Sequence, residues 1–340
     1  MNTNKRESEI LFALIRIHLR PIFLFFLASA LSAQDLNFLN HNRPMVDAHN
    51  CYPYDGQFAD RIDRALKSGY PVSIEQDIAS ANGQPVVTHT ATTTGSEPTL
   101  RAYFFERVRP IVEKALAENK RSTWPIIVLH FDFKSLDPEL LRAVWKLLGE
   151  YESWITTAPQ TSDPHQLAPF DRKPILVITE DADEQEQVFF RDLANGERLR
   201  VFGSAHTLSI RGKSREDRVH QLATLPPDQL LTERPSNYRR WWNNSWYEVE
   251  EGGQPKAGDW TRADADRLRA LVNYAHKMGY WIRFYTLDGF APAEDRGWDQ
   301  GYNFGTRAAV EARWKASIKA GVNFIATDQY EDLASVLGRR

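Results

Sequence analysis

The sequence predicts a single (β/α)8 TIM-type barrel. Short apolar runs alternate along the chain with stretches of helical periodicity, which is the pattern of β/α units around a parallel sheet. Eight such runs can be counted, and 340 residues are enough for one large barrel. Hydrophobic residues make up 42% of the chain and charged residues 26%, a composition typical of globular proteins.

The strand candidates are short, and several begin at a proline, where the missing N–H weakens a β-ladder least. They cover residues 44–49, 71–78, 85–89, 124–134, 174–179, 198–202, 280–286 and 321–327. Helical patterns lie between them, over residues 58–68, 99–119, 138–151, 261–278 and 307–320. The fourth helix has clear ends, because Thr261 is a suitable N-cap and Gly279 follows the last turn.

Residues 204–259 do not fit this alternation. The segment contains Pro226-Pro227 and the run Arg-Arg-Trp-Trp-Asn-Asn-Ser-Trp at 239–246, and it is too long for a simple connection. We therefore predict an insertion between the sixth and seventh strands, close to the barrel mouth, in which the tryptophans either pack or form a lipid-binding belt.

The first 33 residues have the features of a signal peptide. Basic residues precede an apolar run at 22–27, and Ala28-Ser29-Ala30 supplies small residues for cleavage. The apolar run is well short of the roughly 20 residues of a membrane-spanning helix, so we expect no stable membrane span. We predict that residues 34–340 form a secreted or periplasmic barrel. Its single cysteine, Cys51, excludes an intrachain disulfide.

The overall charge limits the choice of partner. A formal net charge of −3 gives no strong positive field for gripping a phosphate backbone. We therefore expect no nucleic-acid partner, and we expect a monomer that acts on a small molecule or a lipid.

Ionisable side chains cluster at the predicted strand ends. In a barrel of this type the active site lies at the carboxyl ends of the strands. The candidates at these ends are His49, Glu75, Asp77, His89, Asp132 and Lys134. Carboxylates forced into one barrel mouth repel each other unless a cation lies among them. Oxygen ligands indicate a hard ion, Ca²⁺ or Mg²⁺.

The order of these residues resembles the phospholipase C-like phosphodiesterase superfamily. That order is His49-Asn50, Glu75-Gln76-Asp77, His89 and then Asp132. The His-Asn-x-Tyr run is similar to the first catalytic segment of calcium-dependent phosphoinositide phospholipases C. Residues 82–89 and 320–328 resemble glycerophosphodiester phosphodiesterases. The Asp-x-Lys at 132–134 resembles the spider-venom sphingomyelinase D branch.

The resemblance implies a role for each of these positions. His49 and His89 would share acid-base catalysis, and Lys134 would contact phosphate. One divalent cation would be bound by Glu75, Asp77 and Asp132, with Asn50 as a fourth ligand. The His-Arg-Gly of glycerophosphodiester phosphodiesterases is absent, since Asn50-Cys51 stands in place of Arg-Gly. Arg283 and Tyr285 on the seventh predicted strand are the candidates to bind substrate instead.

The implied function is metal-dependent hydrolysis of a glycerophosphodiester, a phospholipid or a related small phosphodiester. Two alternatives stay open: a non-catalytic barrel that binds lipid or carbohydrate, and a metal-independent phospholipase C-type lyase in which an arginine replaces the metal. The sequence does not distinguish Ca²⁺ from Mg²⁺, or a cyclic product from a hydrolysed one.

Overall fold

A closed barrel of eight parallel strands forms the centre of the protein. The computed structural model describes residues 44–54, 56–194, 196–210, 214–294 and 296–339. The predicted signal peptide lies outside the described residues. Within them, no helix is long and apolar enough to cross a membrane.

The described residues form eleven strands, eight of which follow each other around the barrel in chain order. They are β1 Met45–Ala48, β2 Val72–Ala81, β3 Gln84–Val87, β4 Ile127–Phe133, β5 Ala158–Pro159, β6 Ile175–Thr179, β7 Arg198–Leu199, β8 Phe202–Ser204, β9 Arg239–Ser245, β10 Trp281–Tyr285 and β11 Phe324–Thr327. The barrel order is β1-β2-β4-β6-β8-β9-β10-β11, and β11 pairs with β1 to close the ring. Strands β5 and β7 form a small antiparallel ribbon outside it.

Helices connect most of the barrel strands. They are α1 Arg61–Lys67, α2 Glu106–Glu118, α3 Pro138–Glu150, α4 Asp183–Glu186, α5 Arg215–Thr224, α6 Pro227–Leu230, α7 Arg262–Met278, α8 Arg307–Ala320 and α9 Tyr330–Val336. The five helices predicted from periodicity are confirmed by α1, α2, α3, α7 and α8. The capping box at Thr261 is present, and Gly279 ends α7 in the left-handed conformation, with a φ of 95°.

The third predicted strand is not a barrel strand. Residues 84–87 form β3, which pairs antiparallel with the far end of β2. Asn82 and Gly83 connect the two strands, and both have positive φ, 51° and 75°. Asn-Gly favours this conformation and makes a two-residue hairpin. The hairpin extends β2 beyond the barrel and carries His89 back over the mouth.

The predicted insertion contains the missing barrel strand. Residues 239–245 form β9, which lies between β8 and β10. Its Trp241 is buried inside the barrel, where it contacts the His130 ring edge-on at 5.1 Å between centroids. The prediction of an insertion was therefore wrong for these residues. The predicted strand at 198–202 is likewise shifted, since the barrel strand β8 begins at Phe202.

Candidate active site

Three carboxylates from two neighbouring strands meet at the barrel mouth. The register of β2 and β4 pairs Glu75 with His130 and Asp77 with Asp132. Because alternate residues of a strand share a face, these four side chains lie on the same side of the sheet. Glu75, Asp77 and Asp132 each place a carboxylate oxygen within 4.8 Å of the others. We call these three residues the carboxylate cluster.

Lys134 bridges two members of the carboxylate cluster. Its Nζ lies 2.9 Å from Asp77 Oδ2 and 2.8 Å from Asp132 Oδ2. Burial opposes the charge on both partners, yet the two carboxylates raise the pKa of Lys134, and Lys134 lowers the pKa of Asp132. The ammonium group therefore stays charged at the mouth.

Arg283 lies below the carboxylate cluster. Its guanidinium donates to Asp47 and Glu75, and at 3.1 Å to Asn243 Oδ1. Although burial opposes the effect, Arg283 lowers the pKa of Asp47. The structure thus places this predicted substrate-binding residue deep in the barrel, bonded to protein carboxylates. Tyr285 packs over it, with the ring centroid 5.5 Å from the guanidinium carbon.

His49 follows β1 and connects to two carboxylates. Its Nδ1 lies 2.8 Å from Asp328 Oδ1, and its Nε2 lies 3.8 Å from Glu75 Oε1. Burial alone would lower the pKa of His49, but the charges of Glu75 and Asp328 raise it to about 10. Tyr302 packs edge-on against the ring at 5.4 Å.

A second buried carboxyl group, Asp288, lies next to Asp328. Burial and the negative charge of Asp328 raise the pKa of Asp288 well above its usual value. Asp288 Oδ1 accepts hydrogen bonds from the Asp328 backbone N–H at 2.8 Å and from Thr327 Oγ1 at 2.7 Å. The Asp328 side chain is thereby fixed beneath His49.

His89 lies at the other end of the carboxylate cluster. Its Nδ1 is 2.8 Å from Asp77 Oδ2 and 2.9 Å from the Tyr52 hydroxyl. The ring stacks on Tyr52 with 5.9 Å between centroids, and half of the side chain is exposed. The two predicted catalytic histidines therefore contact different carboxylates of one cluster.

Asn50 has partners other than the carboxylate cluster. Its Nδ2 lies 3.1 Å from each Asp328 oxygen, and its Oδ1 accepts the Tyr52 hydroxyl. The backbone at Asn50 has a φ of 51°, and Arg61 donates to its carbonyl at 2.7 Å. The amide is thus fixed between Asp328 and Tyr52.

A cavity of about 300 Å³ adjoins His89. Tyr54 forms one wall, and its ring lies 6.2 Å from the His89 ring. The loop after β3 also lines the cavity and contributes the hydroxyl groups of Thr88, Thr90, Thr92, Thr94 and Ser96.

The residues of the carboxylate cluster fit a hard cation. Asp77 Oδ1 is buried and has no hydrogen-bond partner among the described residues, and the Asp132 side chain is 38% exposed toward the mouth. A buried carboxylate oxygen without a partner is costly, and Ca²⁺ or Mg²⁺ would satisfy it. Asp47, Glu75 and His130 also have the spacing of metal ligands, but Arg283 already binds the first two.

Several residues of the site were not identified from the sequence. Asp328 and Glu180 each directly follow a barrel strand, so the rule that found Asp132 could also have found them. Glu180 accepts from Asn243 Nδ2 and lies 2.8 Å from His130 Nε2. No sequence pattern pointed to Asn243, because its strand, β9, was not recognised as a barrel strand.

No family model matches the chain, and no curated protein matches it significantly. Among solved structures, a glycerophosphodiester phosphodiesterase from Parabacteroides distasonis is 12% identical, with a TM-score of 0.43 over 87% of this chain and 97% of that chain. One from Agrobacterium tumefaciens is 14% identical, with a TM-score of 0.39 over 87% and 99%. An HPPK-DHPS of Plasmodium falciparum is 11% identical, with a TM-score of 0.41 over 88% and 48%. Similarity at this level does not assign a function to this chain.

Proposed function

We propose that the protein is a metal-dependent phosphoric diester hydrolase. Its substrate would be a glycerophosphodiester, a phospholipid or a related small phosphodiester. One observation carries the proposal: His49 and His89 contact Glu75 and Asp77, two carboxylates of the same cluster. Two imidazoles beside one cation site suit a reaction that needs a proton removed and a proton supplied.

The carboxylate cluster would hold one Ca²⁺ or Mg²⁺ ion. Such an ion polarises a phosphoryl oxygen and offsets the charge that builds up on it. Lys134 would add a second positive charge, because its ammonium lies between Asp77 and Asp132 at the mouth. A bound phosphodiester would then contact both cations.

The histidines would act through their Nε2 atoms. Asp328 holds His49 at Nδ1, and Asp77 holds His89 at Nδ1. A carboxylate at one ring nitrogen fixes the ring and leaves the other nitrogen for proton transfer. One histidine would deprotonate the attacking water or substrate hydroxyl, and the other would protonate the departing alkoxide.

The cavity beside His89 would receive one alcohol portion of the substrate. Among the described residues that line it, six carry hydroxyl groups, one is a glutamate and none is a lysine or arginine. Such a surface offers hydrogen bonds to hydroxyl groups, but no positive charge for a second phosphate. We therefore favour a small hydroxylated alcohol at this position.

A screen of phosphodiesters in chelator, and then with Ca²⁺ or Mg²⁺ restored, tests the proposal. We expect release of a phosphomonoester or cyclic phosphate only with the metal present. Mass analysis of the product identifies which of the two forms. Absence of turnover on every diester in metal-replete buffer would defeat the proposal.

A metal-independent lyase is the second candidate, and one observation favours it. Arg283 pairs with Glu75, and Lys134 pairs with Asp77 and Asp132, so protein cations already offset part of the carboxylate charge. Full activity in chelator, with a cyclic product, would select this candidate.

We also propose that the chain is exported after cleavage of residues 1–33. The proposal is supported by the basic, apolar and small-residue order of that segment. N-terminal sequencing of protein from the native host should find a start between Leu31 and Gln34. A chain that starts at Met1 in the cytoplasm would contradict export.

A further inference from the structure

A chain of hydrogen bonds connects the two histidines through Asn50 and Tyr52. The Asp328 carboxylate can only accept hydrogen bonds, so the group of Asn50 that faces both its oxygens must be the amide nitrogen. The amide oxygen then faces the Tyr52 hydroxyl. Tyr52 must therefore donate its proton to Asn50.

The Asp77 carboxylate fixes the direction of the hydrogen bonds at the His89 end of this hydrogen-bond chain. Tyr52 has only one proton to donate, so toward His89 Nδ1, at 2.9 Å, its oxygen must accept. His89 Nδ1 also lies 2.8 Å from Asp77 Oδ2, and an unprotonated nitrogen there would face a carboxylate oxygen without a proton between them. His89 therefore carries a proton on Nδ1. Asp328 and Asp77 together set one direction for every bond.

We propose that Tyr52 is a positioning residue that holds both histidines in one oriented chain, and that Asn50 is a bridge in that chain rather than a metal ligand. His49 joins at Asp328, where its Nδ1 lies 2.8 Å from Oδ1. The catalytic consequence rests on the proposed function, since it requires the histidines to act as acid and base. The orientation itself does not.

The surroundings of Tyr52 and Asn50 suit an orienting role. Tyr52 is 1% exposed, and its ring stacks on His89, so it cannot swing away from the chain. An amide does not readily pass a proton between its oxygen and its nitrogen. The hydrogen-bond chain therefore orients the two rings without carrying a proton between them.

The resting protein allows a direct test of the orientation. Tyr52→Phe keeps the stacked ring and removes only the hydroxyl. In NMR spectra of the imidazole N–H groups, assigned with His49→Ala and His89→Ala, we expect Tyr52→Phe to shift the Nδ1–H signals of both histidines. The matched control is Tyr238→Phe, because the Tyr238 hydroxyl is buried without a partner. It should shift neither signal. A His49 signal unaffected by Tyr52→Phe would overturn the proposal.

Metal titration separates the two roles of Asn50. If Asn50 is a bridge, Asn50→Ala should bind Ca²⁺ or Mg²⁺ with the wild-type affinity, while Asp132→Ala binds it much more weakly. A loss of affinity in Asn50→Ala as large as that in Asp132→Ala would overturn the assignment. Asn50→Ala removes the hydrogen bonds of Asn50 to Asp328 and Tyr52, so it interrupts the same hydrogen-bond chain. It therefore provides a second variant if Tyr52→Phe fails to fold.

Kinetics then connect the chain to catalysis. Tyr52→Phe should lower kcat by up to about 10²-fold with little change in KM, since misplaced catalytic groups affect the transition state more than binding. Asn50→Ala and the double variant should lose no more than the worse single variant, because both changes cut one chain. Additive losses would contradict a shared chain. If the wild type cleaves no diester, the proposed function fails, and the NMR comparison still decides the orientation.

Discussion

At the scale of single residues, the barrel mouth places the carboxylate cluster beside cationic side chains that offset its negative charge. Burial raises the pKa of Glu75, whereas Lys134 lowers that of Asp132. Asp77 accepts from Lys134 and His89 on one oxygen and leaves the other oxygen without a partner. The cluster therefore has room for one more positive charge, and this supports the proposed cation.

Substitution of any residue of the carboxylate cluster should weaken metal binding. Glu75→Gln, Asp77→Asn and Asp132→Asn each remove one negative ligand, so calorimetry should show metal affinity reduced by at least 10-fold, as the loss of about 1.4 kcal/mol or more implies. Turnover should fall with it. The control is Asp63→Asn, a surface carboxylate paired with Arg107. Wild-type metal affinity in all three variants would show that the cluster binds no cation.

His49 and His89 should behave as a cooperating pair. His49→Ala and His89→Ala should each slow an unactivated diester by roughly 10²–10⁴-fold, and the double variant should be little worse than the poorer single variant. A nitrophenyl ester releases an anion that needs almost no protonation, so the variant without the general acid should recover on that substrate. His220→Ala, at an exposed ion pair with Glu251, is the control. Near-normal rates in both variants would make the histidines structural.

At the scale of elements, the sequence predicted the strands that are continuous apolar runs and failed where polar residues are buried. Strand β9 begins with Arg239 and Arg240, which the sequence alone places on a surface. In the structure Arg239 is 2% exposed and donates to Glu186 and to the Ser204 carbonyl, at 2.8 and 2.6 Å. These partners lie far away in sequence, so the burial of the arginines could not be predicted.

The hairpin of β2 and β3 was predictable in principle. Asn82-Gly83 is a strong hairpin signal, but the apolar run that follows it also fits a barrel strand. The sequence placed His89 at a strand end in either case. The sequence therefore placed His89 near the carboxylate cluster even though its element is not a barrel strand.

The contact of β8 with the segment before β9 depends on a glycine. A Cβ at Gly203 would lie 2.3 Å from Tyr238 Cε1 and 2.7 Å from Cζ. Overpacking of this kind usually costs about 1–3 kcal/mol, so we expect Gly203→Ala to lower the free energy of unfolding by that amount. Gly258→Ala is the control, since nothing lies within 4 Å of its Cβ position. Equal denaturation midpoints for the two variants would contradict this packing.

At the scale of the whole molecule, barrel closure brings together site residues that are distant in the chain. His49 and its partner Asp328 are 279 positions apart, and they meet because β11 pairs with β1. The positions of these residues at the ends of predicted strands indicated that the histidines and the carboxylate cluster lie close together. They could not predict which carboxylate holds which ring, because that depends on rotamers and on the bend of the hairpin.

Glu248, a buried carboxyl group outside the cluster, should contribute to the pH dependence of global stability. Glu248 lies in the turn after β9 and is 4% exposed, and its Oε2 has no hydrogen-bond partner. Burial raises the pKa of Glu248 to about 8, although Arg267 opposes the shift. The folded state thus holds this proton more tightly than the unfolded chain, where the pKa is about 4.3. The resulting stabilisation is complete below the unfolded pKa and is lost as the pH rises through about 8.

Glu248→Gln removes this dependence, because its amide stays neutral at every pH. In chemical denaturation at pH 5, 7 and 9, the stability of Glu248→Gln relative to wild type should therefore rise with pH and level off above about 8. Each unit of pKa difference contributes up to about 1.4 kcal/mol. Glu118→Gln, at an exposed position at the end of α2, should give a difference that changes little with pH. A flat difference for Glu248→Gln as well would mean that Glu248 is ionised in the folded barrel.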